Sequence, residues 1–214
     1  MNNVKDETLF IDPAVNMKPS PFTHDPLKAL VVPRPIGWIS SINAAGVVNL
    51  APFSYFNLVS GDPPCVIYCP NGEHLDGGAK DSLLNVQETG EFVCILATYA
   101  LREQMVLTSK HVPRNVDEMT LAGLTPVPSV KVKPPRVGES PAALECVFRQ
   151  TIELPTGRRP ERSYIVMGEI VGIHVNKEIV VEGKVDVHRM RPVARLGYDE
   201  YAVIDDVFTM SRPD

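Results

Sequence analysis

Two stretches of the chain carry residue types that could do chemistry together. Gly77-Gly78-Ala79-Lys80-Asp81-Ser82 stands just before a segment that reads as a helix, Asp81 to Thr89, with Gly90 as its stop. The first N–H groups of a helix have no partner within it, and they lie at the positive end of its dipole, so such a start suits a phosphate. Lys80 adds a point charge, Ser82 a hydroxyl donor, and Asp81 suits an N-cap. The same residues also read as a glycine turn before a capped helix, with no ligand at all.

The second stretch is Trp38-Ile39-Ser40-Ser41, which faces Asn49-Leu50-Ala51-Pro52-Phe53-Ser54-Tyr55-Phe56-Asn57 across the turn Asn43-Ala44-Ala45-Gly46. Ser40 and Ser41 are small hydroxyls near a turn. Ala51, Pro52, Phe53, Ser54 and Asn57 mix apolar walls with polar groups, a lining that fits a flat heteroaromatic ring. The competing reading is a core strand that bends at Pro52.

Other motifs are missing. The chain has no G-x-G-x-x-G, no P-loop, no G-x-S-x-G and no H-E-x-x-H. His24, His74, His111, His174 and His188 are scattered, and Cys65, Cys69, Cys94 and Cys146 form no C-x-x-C pair, so no metal site is signalled. Buried free thiols are expected, which suits a reducing cytoplasm.

The elements that must position these residues are mostly strands. Apolar runs at 36–42, 47–51, 66–69 and 91–98 alternate with turns, and 100–107 and 116–122 read as short helices. The proline-rich stretch 126–141 reads as loop with one strand at Val130 to Lys133. Two long strands, 142–154 and 163–175, flank the loop Pro155 to Pro160, and 178–181, 183–187 and 198–204 complete the set. The expected fold class is mainly β with short helices, an antiparallel barrel, in one domain over 26–204 between an N-terminal arm (1–25) and a C-terminal tail (205–214).

The 214 residues include 20 prolines, against an average near 5% of residues, which disfavours long helices. The net charge is −5, which argues against a nucleic-acid surface. The longest apolar run, Phe92 to Ala97, is far short of the roughly 20 residues of a membrane helix.

Taken in order, several blocks resemble the flavin reductase-like family of FMN-binding split barrels. They are Pro33-Arg34-Pro35-Ile36-Gly37-Trp38-Ile39-Ser40-Ser41, the Asn49 to Asn57 segment, Asp62-Pro63-Pro64, and Lys80-Asp81-Ser82 with Asn85. Looser matches are Glu139 to Cys146 and Arg195-Leu196-Gly197-Tyr198. The resemblance implies a six-stranded Greek-key barrel, a homodimer, and FMN near the subunit interface. It places Ser40, Ser41, Lys80 and Ser82 on the FMN phosphate and ribityl chain, beside Asp81. Ala51, Pro52, Phe53, Ser54 and Asn57 then line the ring. It further implies an oxidoreductase with NAD(P)H as candidate co-substrate, a small-molecule substrate, and an oxygenase or redox protein as candidate partner. Short members often carry Asp-His ahead of the late barrel strand, where this chain has Arg162-Ser163. That departure leaves two alternatives open: an FMN electron carrier, or a flavin-binding module without turnover. His111 and His188 are candidate steric substitutes for the histidine. Tyr198 and Tyr201 either stack beside a ring or pack a strand end.

Overall fold

The structure, a computed structural model, describes residues 8–155, 157 and 162–213, so most of the Pro155 to Pro160 loop and the first residues of the arm lie outside the described residues. A short helix, α1 (Leu27–Leu30), and strand β1 (Arg34–Pro35) lead into the hairpin β2 (Gly37–Ile42) and β3 (Val48–Phe53). The Asn43 carboxamide closes this turn by accepting the Val47 N–H at 2.9 Å, and Gly46 supplies the positive φ of 81°. A second hairpin, β4 (Phe56–Gly61) and β5 (Pro64–Tyr68), turns at Asp62-Pro63. Helix α2 (Asp81–Thr89) ends at Gly90 in the left-handed conformation, and β6 (Glu91–Leu96) follows. Next come α3 (Arg102–Leu107), α4 (Glu118–Leu121), β7 (Pro126–Val127) and β8 (Arg136–Val137). The long strands β9 (Ala142–Glu153) and β10 (Tyr164–Val175) precede the small pair β11 (Val180–Val181) and β12 (Lys184–Val185). Helix α5 (Val187–Met190), β13 (Val193–Arg195) and β14 (Tyr201–Val203) complete the chain.

Seven strands form one antiparallel sheet in the order β3-β2-β6-β9-β10-β5-β4. β6, β9 and β10 are consecutive neighbours and β5 lies beside β10, a Greek-key arrangement. Strands far apart in this order nevertheless touch. A Cβ on Gly37 of β2 would stand 2.4 Å from the Phe56 ring on β4, and the rings of Phe53 on β3 and Tyr68 on β5 are 5.3 Å apart. The sheet is therefore rolled into a barrel, and it is split because its edge strands β3 and β4 share no ladder.

Both faces of the sheet are buried near β2, where Trp38 and Ile39 are each fully enclosed on opposite sides. One cluster holds Ile39, Tyr68, Phe92, Cys146 and Val166 with Leu83 and Val86 of α2. The other packs Trp38, Leu50, Val93 and Ile95 under Met105, Met119 and Val193. Helix α2 keeps the boundaries read from the sequence because Leu83 and Val86 turn one face into the barrel.

Three expectations differ. The barrel sheet has seven strands rather than six, since the chain re-enters it as β4 directly after Ser54-Tyr55. Val130 to Lys133 is not a strand. The amides of Val130 and Lys131 are taken by the Glu145 carboxylate at 2.7 and 2.6 Å, and that of Lys133 by Glu91 at 2.8 Å. Side-chain acceptors thus replace a ladder, and β7 pairs with β8 around this loop. Residues 183–187 end in a helix rather than a strand, because the Asp186 side chain caps α5 through the Arg189 N–H.

Candidate functional site

A cleft of about 290 Å3 opens between three pieces of chain: the β3 end with its corner (Ala51–Tyr55), the start of α2 with the loop before it, and the loop 108–112 after α3. Each piece is fastened by a named bond. The Tyr68 hydroxyl donates to the Ser82 carbonyl at 2.8 Å and ties the α2 start to the barrel. Burial pushes the Tyr68 phenol well up, so it stays a donor. The Trp38 indole N–H donates to Thr108 Oγ1 at 2.9 Å and holds the near end of the 108–112 loop. At its far end the Val112 carbonyl stands 3.0 Å from His74 Nε2, and the β3 piece is fastened by Glu118, whose carboxylate accepts from Asn49 Nδ2 and from the Leu50 amide, both at 3.0 Å.

Of the ten residues expected at the site, seven line this cleft: Ala51, Pro52, Phe53, Ser54, Lys80, Asp81 and Ser82. Ser40 and Ser41 lie fully buried within β2, away from its lining; Ser41 Oγ accepts from Asn85 Nδ2 at 3.1 Å, and Ser40 Oγ has no partner. Asn57 is on the exposed edge strand β4, and its carboxamide oxygen caps the Leu58 amide at 3.0 Å.

Lys80, not Asp81, is the helix N-cap residue. The Asp81 carboxylate is turned to a clamp: Arg114 donates to it, and His74 Nε2 stands 3.5 Å away. The Arg114 guanidinium also grips Asp76 at 2.7 and 2.9 Å and the Ala79 carbonyl at 3.0 Å. It holds the Asp76 carboxyl well below the usual carboxylate range. Asp81 thereby fixes the loop in front of α2, and its charge is neutralised rather than aimed at a ligand. Lys80 is half-buried with its Nζ 3.5 Å from His111 Nε2, and burial draws its ammonium below the usual lysine range.

Several lining residues escape sequence reading: Asn71, His74, Thr108, Ser109, Lys110, Val112 and Glu118. Asn49 stood in the aromatic-polar segment but was not singled out. Cys69, expected buried, is half-buried in the cleft wall, whereas Cys65, Cys94 and Cys146 are buried free thiols as expected. Arg162 and Ser163, which stand where Asp-His was expected, do not line the cleft, and neither does His188; His111 does.

The cleft fits a flavin phosphate and ribityl chain on its polar groups. Asn49 Oδ1, Asn71 Oδ1 and Ser82 Oγ are buried in its wall without any hydrogen-bond partner, and each such atom is costly to leave unpaired. Two acceptors, a hydroxyl, an ammonium and a helix start match hydroxyls, a ring N–H and a dianion. No group of three or more metal-ligating side chains occurs among the described residues, and no described helix is long and apolar enough to cross a membrane.

The fold is that of a split-barrel protein with a polar cleft at the start of α2. The sequence profile of the flavin reductase like domain matches residues 29–192, and the chain belongs to that family. A protein of Aquifex aeolicus is 36% identical over 173 residues, covering 80% of this chain and 85% of the relative. Among solved structures, nitrilotriacetate monooxygenase component B from Bacillus cereus superposes with a TM-score of 0.84 at 28% identity, covering 95% of this chain and 98% of that one. The 2-nitrobenzoate 2-nitroreductase of Pseudomonas fluorescens gives 0.76 at 29% identity, covering 87% and 88%. Flavoredoxin of Desulfovibrio vulgaris shares the fold, with a TM-score of 0.73 at 21% identity over 85% of this chain and 92% of that one.

Proposed function

We propose that this chain binds FMN in the cleft and acts as an NAD(P)H:flavin reductase-like oxidoreductase, working as a cytoplasmic homodimer. The observation that carries the reading is the meeting of Lys80 and the α2 start with three unpartnered buried polar atoms, Asn49 Oδ1, Asn71 Oδ1 and Ser82 Oγ, in one cleft. Lys80 and Ser82 hold the phosphate, with Asp81 keeping their loop in place through Arg114. Asn49 and Asn71 accept from the ribityl chain or the ring. Ala51, Pro52, Phe53 and Ser54 form the wall along the ring and exclude water from it. Bound FMN would supply the hydride and electron transfer.

The similarity to a monooxygenase component B supports an oxygenase partner that uses the reduced flavin. A second reading, an electron carrier without a small substrate, is favoured by Arg162-Ser163 in place of Asp-His. Freshly purified protein tests the proposal. A reductase shows a yellow flavin spectrum and oxidises NADH or NADPH in steady state, faster with added FMN. A stable yellow colour with no steady-state oxidation selects the carrier. Colourless protein that takes up no FMN refutes the cleft assignment.

A further inference from the structure

Arg34 is only 7% exposed, yet its guanidinium is bonded only to neutral groups. It donates to the carbonyls of Lys28, Val31 and Leu196 at 2.5, 2.6 and 2.6 Å. Its Nε is buried with no acceptor. Carbonyls orient a guanidinium without neutralising it, and a buried charge lacking a counter-ion is costly.

Arg34 lines a second cavity, of about 800 Å3, which shares Pro52, Ser54, Tyr55 and Ser109 with the first cleft. The two spaces therefore share a wall. The N-terminal arm (Met17, Lys18, His24) and the β13–β14 turn (Arg195, Tyr198) form the other walls. Its four cationic side chains, Lys18, Lys28, Arg34 and Arg195, outnumber its two carboxylates. Asp25 accepts the Leu27 amide at 2.9 Å, and Asp199 stands 3.3 Å from Arg195. Lys18 and Lys28 are exposed in the same cavity and have no ion-pair partner among the described residues. The chamber is thus cationic in a chain of net charge −5. Its flat surfaces are the tyrosines: the Arg34 guanidinium lies 6.0 Å from the Tyr55 ring, and Tyr198 stands at φ 55° with its ring 5.3 Å from that of His24.

We propose that this chamber binds a planar organic acid, its carboxylate set towards Arg34 with Lys18 and Lys28 at the mouth, and its flat body along Tyr55 towards the shared Pro52–Ser54 wall. Two remaining guanidinium N–H groups, on Nε and Nη2, and two exposed ammonium groups match a monoanion. The inference deepens the flavin reading by naming the substrate class, and the arm becomes part of the site rather than an appendage.

Calorimetry on the purified holoprotein at low ionic strength tests it, with benzoate as probe against benzamide, inorganic phosphate and NADH. Benzoate is expected to bind about tenfold tighter than benzamide, a difference of about 1.4 kcal/mol. The double variant Lys18→Gln, Lys28→Gln is expected to lose several-fold of the benzoate affinity while keeping that for benzamide and for FMN. Arg34→Gln removes a buried anchor and can fail to fold, so the lysine pair carries the test. Equal binding of benzoate and benzamide, or an unaltered double variant, overturns the proposal. So does phosphate displacing benzoate at equal concentration, or NADH competing with it and showing the same loss in the variant. Benzoate binding to protein that takes up no flavin leaves this inference standing and refutes only the cleft assignment; flavin binding without benzoate binding does the reverse.

Discussion

Glu118 shows how much one side chain does here. Its carboxylate is buried in the cleft wall and caps edge strand β3 through Asn49 and Leu50. Burial pushes its carboxyl up to about 7 from 4.5, against the pull of those two donors. Between pH 4.5 and 7 the folded chain keeps this proton while the unfolded chain releases it. Stability therefore declines as pH rises through that window and levels off above it. At about 1.36 kcal/mol per pH unit the loss is on the order of 3 kcal/mol. Glu118→Gln has no such dependence. Urea unfolding of both proteins at pH 5 and pH 8 is expected to show the wild type losing roughly that much relative to the variant. A difference between the two proteins that is the same at both pH values contradicts the assignment.

At the scale of elements, the barrel depends on close approaches as much as on ladders. A Cβ on Gly168 of β10 would stand 2.3 Å from the Phe92 ring, which is fully buried inside the barrel. Gly168→Ala is expected to destabilise the protein by about 1–3 kcal/mol through overpacking. Adding Phe92→Leu is expected to recover part of that loss, because the colliding ring is gone; denaturation midpoints of the single and double variants check both steps. Elements set by local chemistry were legible in the sequence. The β2–β3 turn follows from Asn43 and Gly46, and α2 follows from its apolar face and Gly90. Elements set by distant partners were not. The alternation of Val130 and Val132 imitates a strand, while the acceptors that claim its amides, Glu145 and Glu91, stand 14 to 42 residues away. The same holds for the site. Lys80 and Ser82 were readable from a helix start, but the 108–112 wall is tied by Trp38 to Thr108 across 70 residues, which no local pattern reports. Ser40 and Ser41 looked available because hydroxyl type says nothing of burial, and β2 is covered on both faces.

For the whole molecule, the feature that matters is the apolar edge of the barrel sheet. Edge strand β4 exposes Leu58 at 57% and Val59 at 49%, with Tyr55 at 42% just before it. An apolar edge of this kind invites pairing with another copy. The proposed homodimer is expected to use this surface, and light scattering at micromolar concentration is expected to give about twice the chain mass of 23.5 kDa. Leu58→Glu with Val59→Lys is expected to shift that mass towards the monomer. A wild-type mass equal to one chain rules the dimer out.

The α2 start, with Lys80 and Ser82, is proposed to grip the flavin phosphate. Parallel fluorescence titrations with FMN and riboflavin address it directly, because the two ligands differ only in that group. FMN is expected to bind at least about tenfold tighter than riboflavin, and Lys80→Ala with Ser82→Ala is expected to remove most of the difference, as charge-assisted hydrogen bonds of this kind contribute about 1.5–3 kcal/mol. Equal affinities for FMN and riboflavin in the wild-type protein, or a preference for FMN that survives in the double variant, would contradict it.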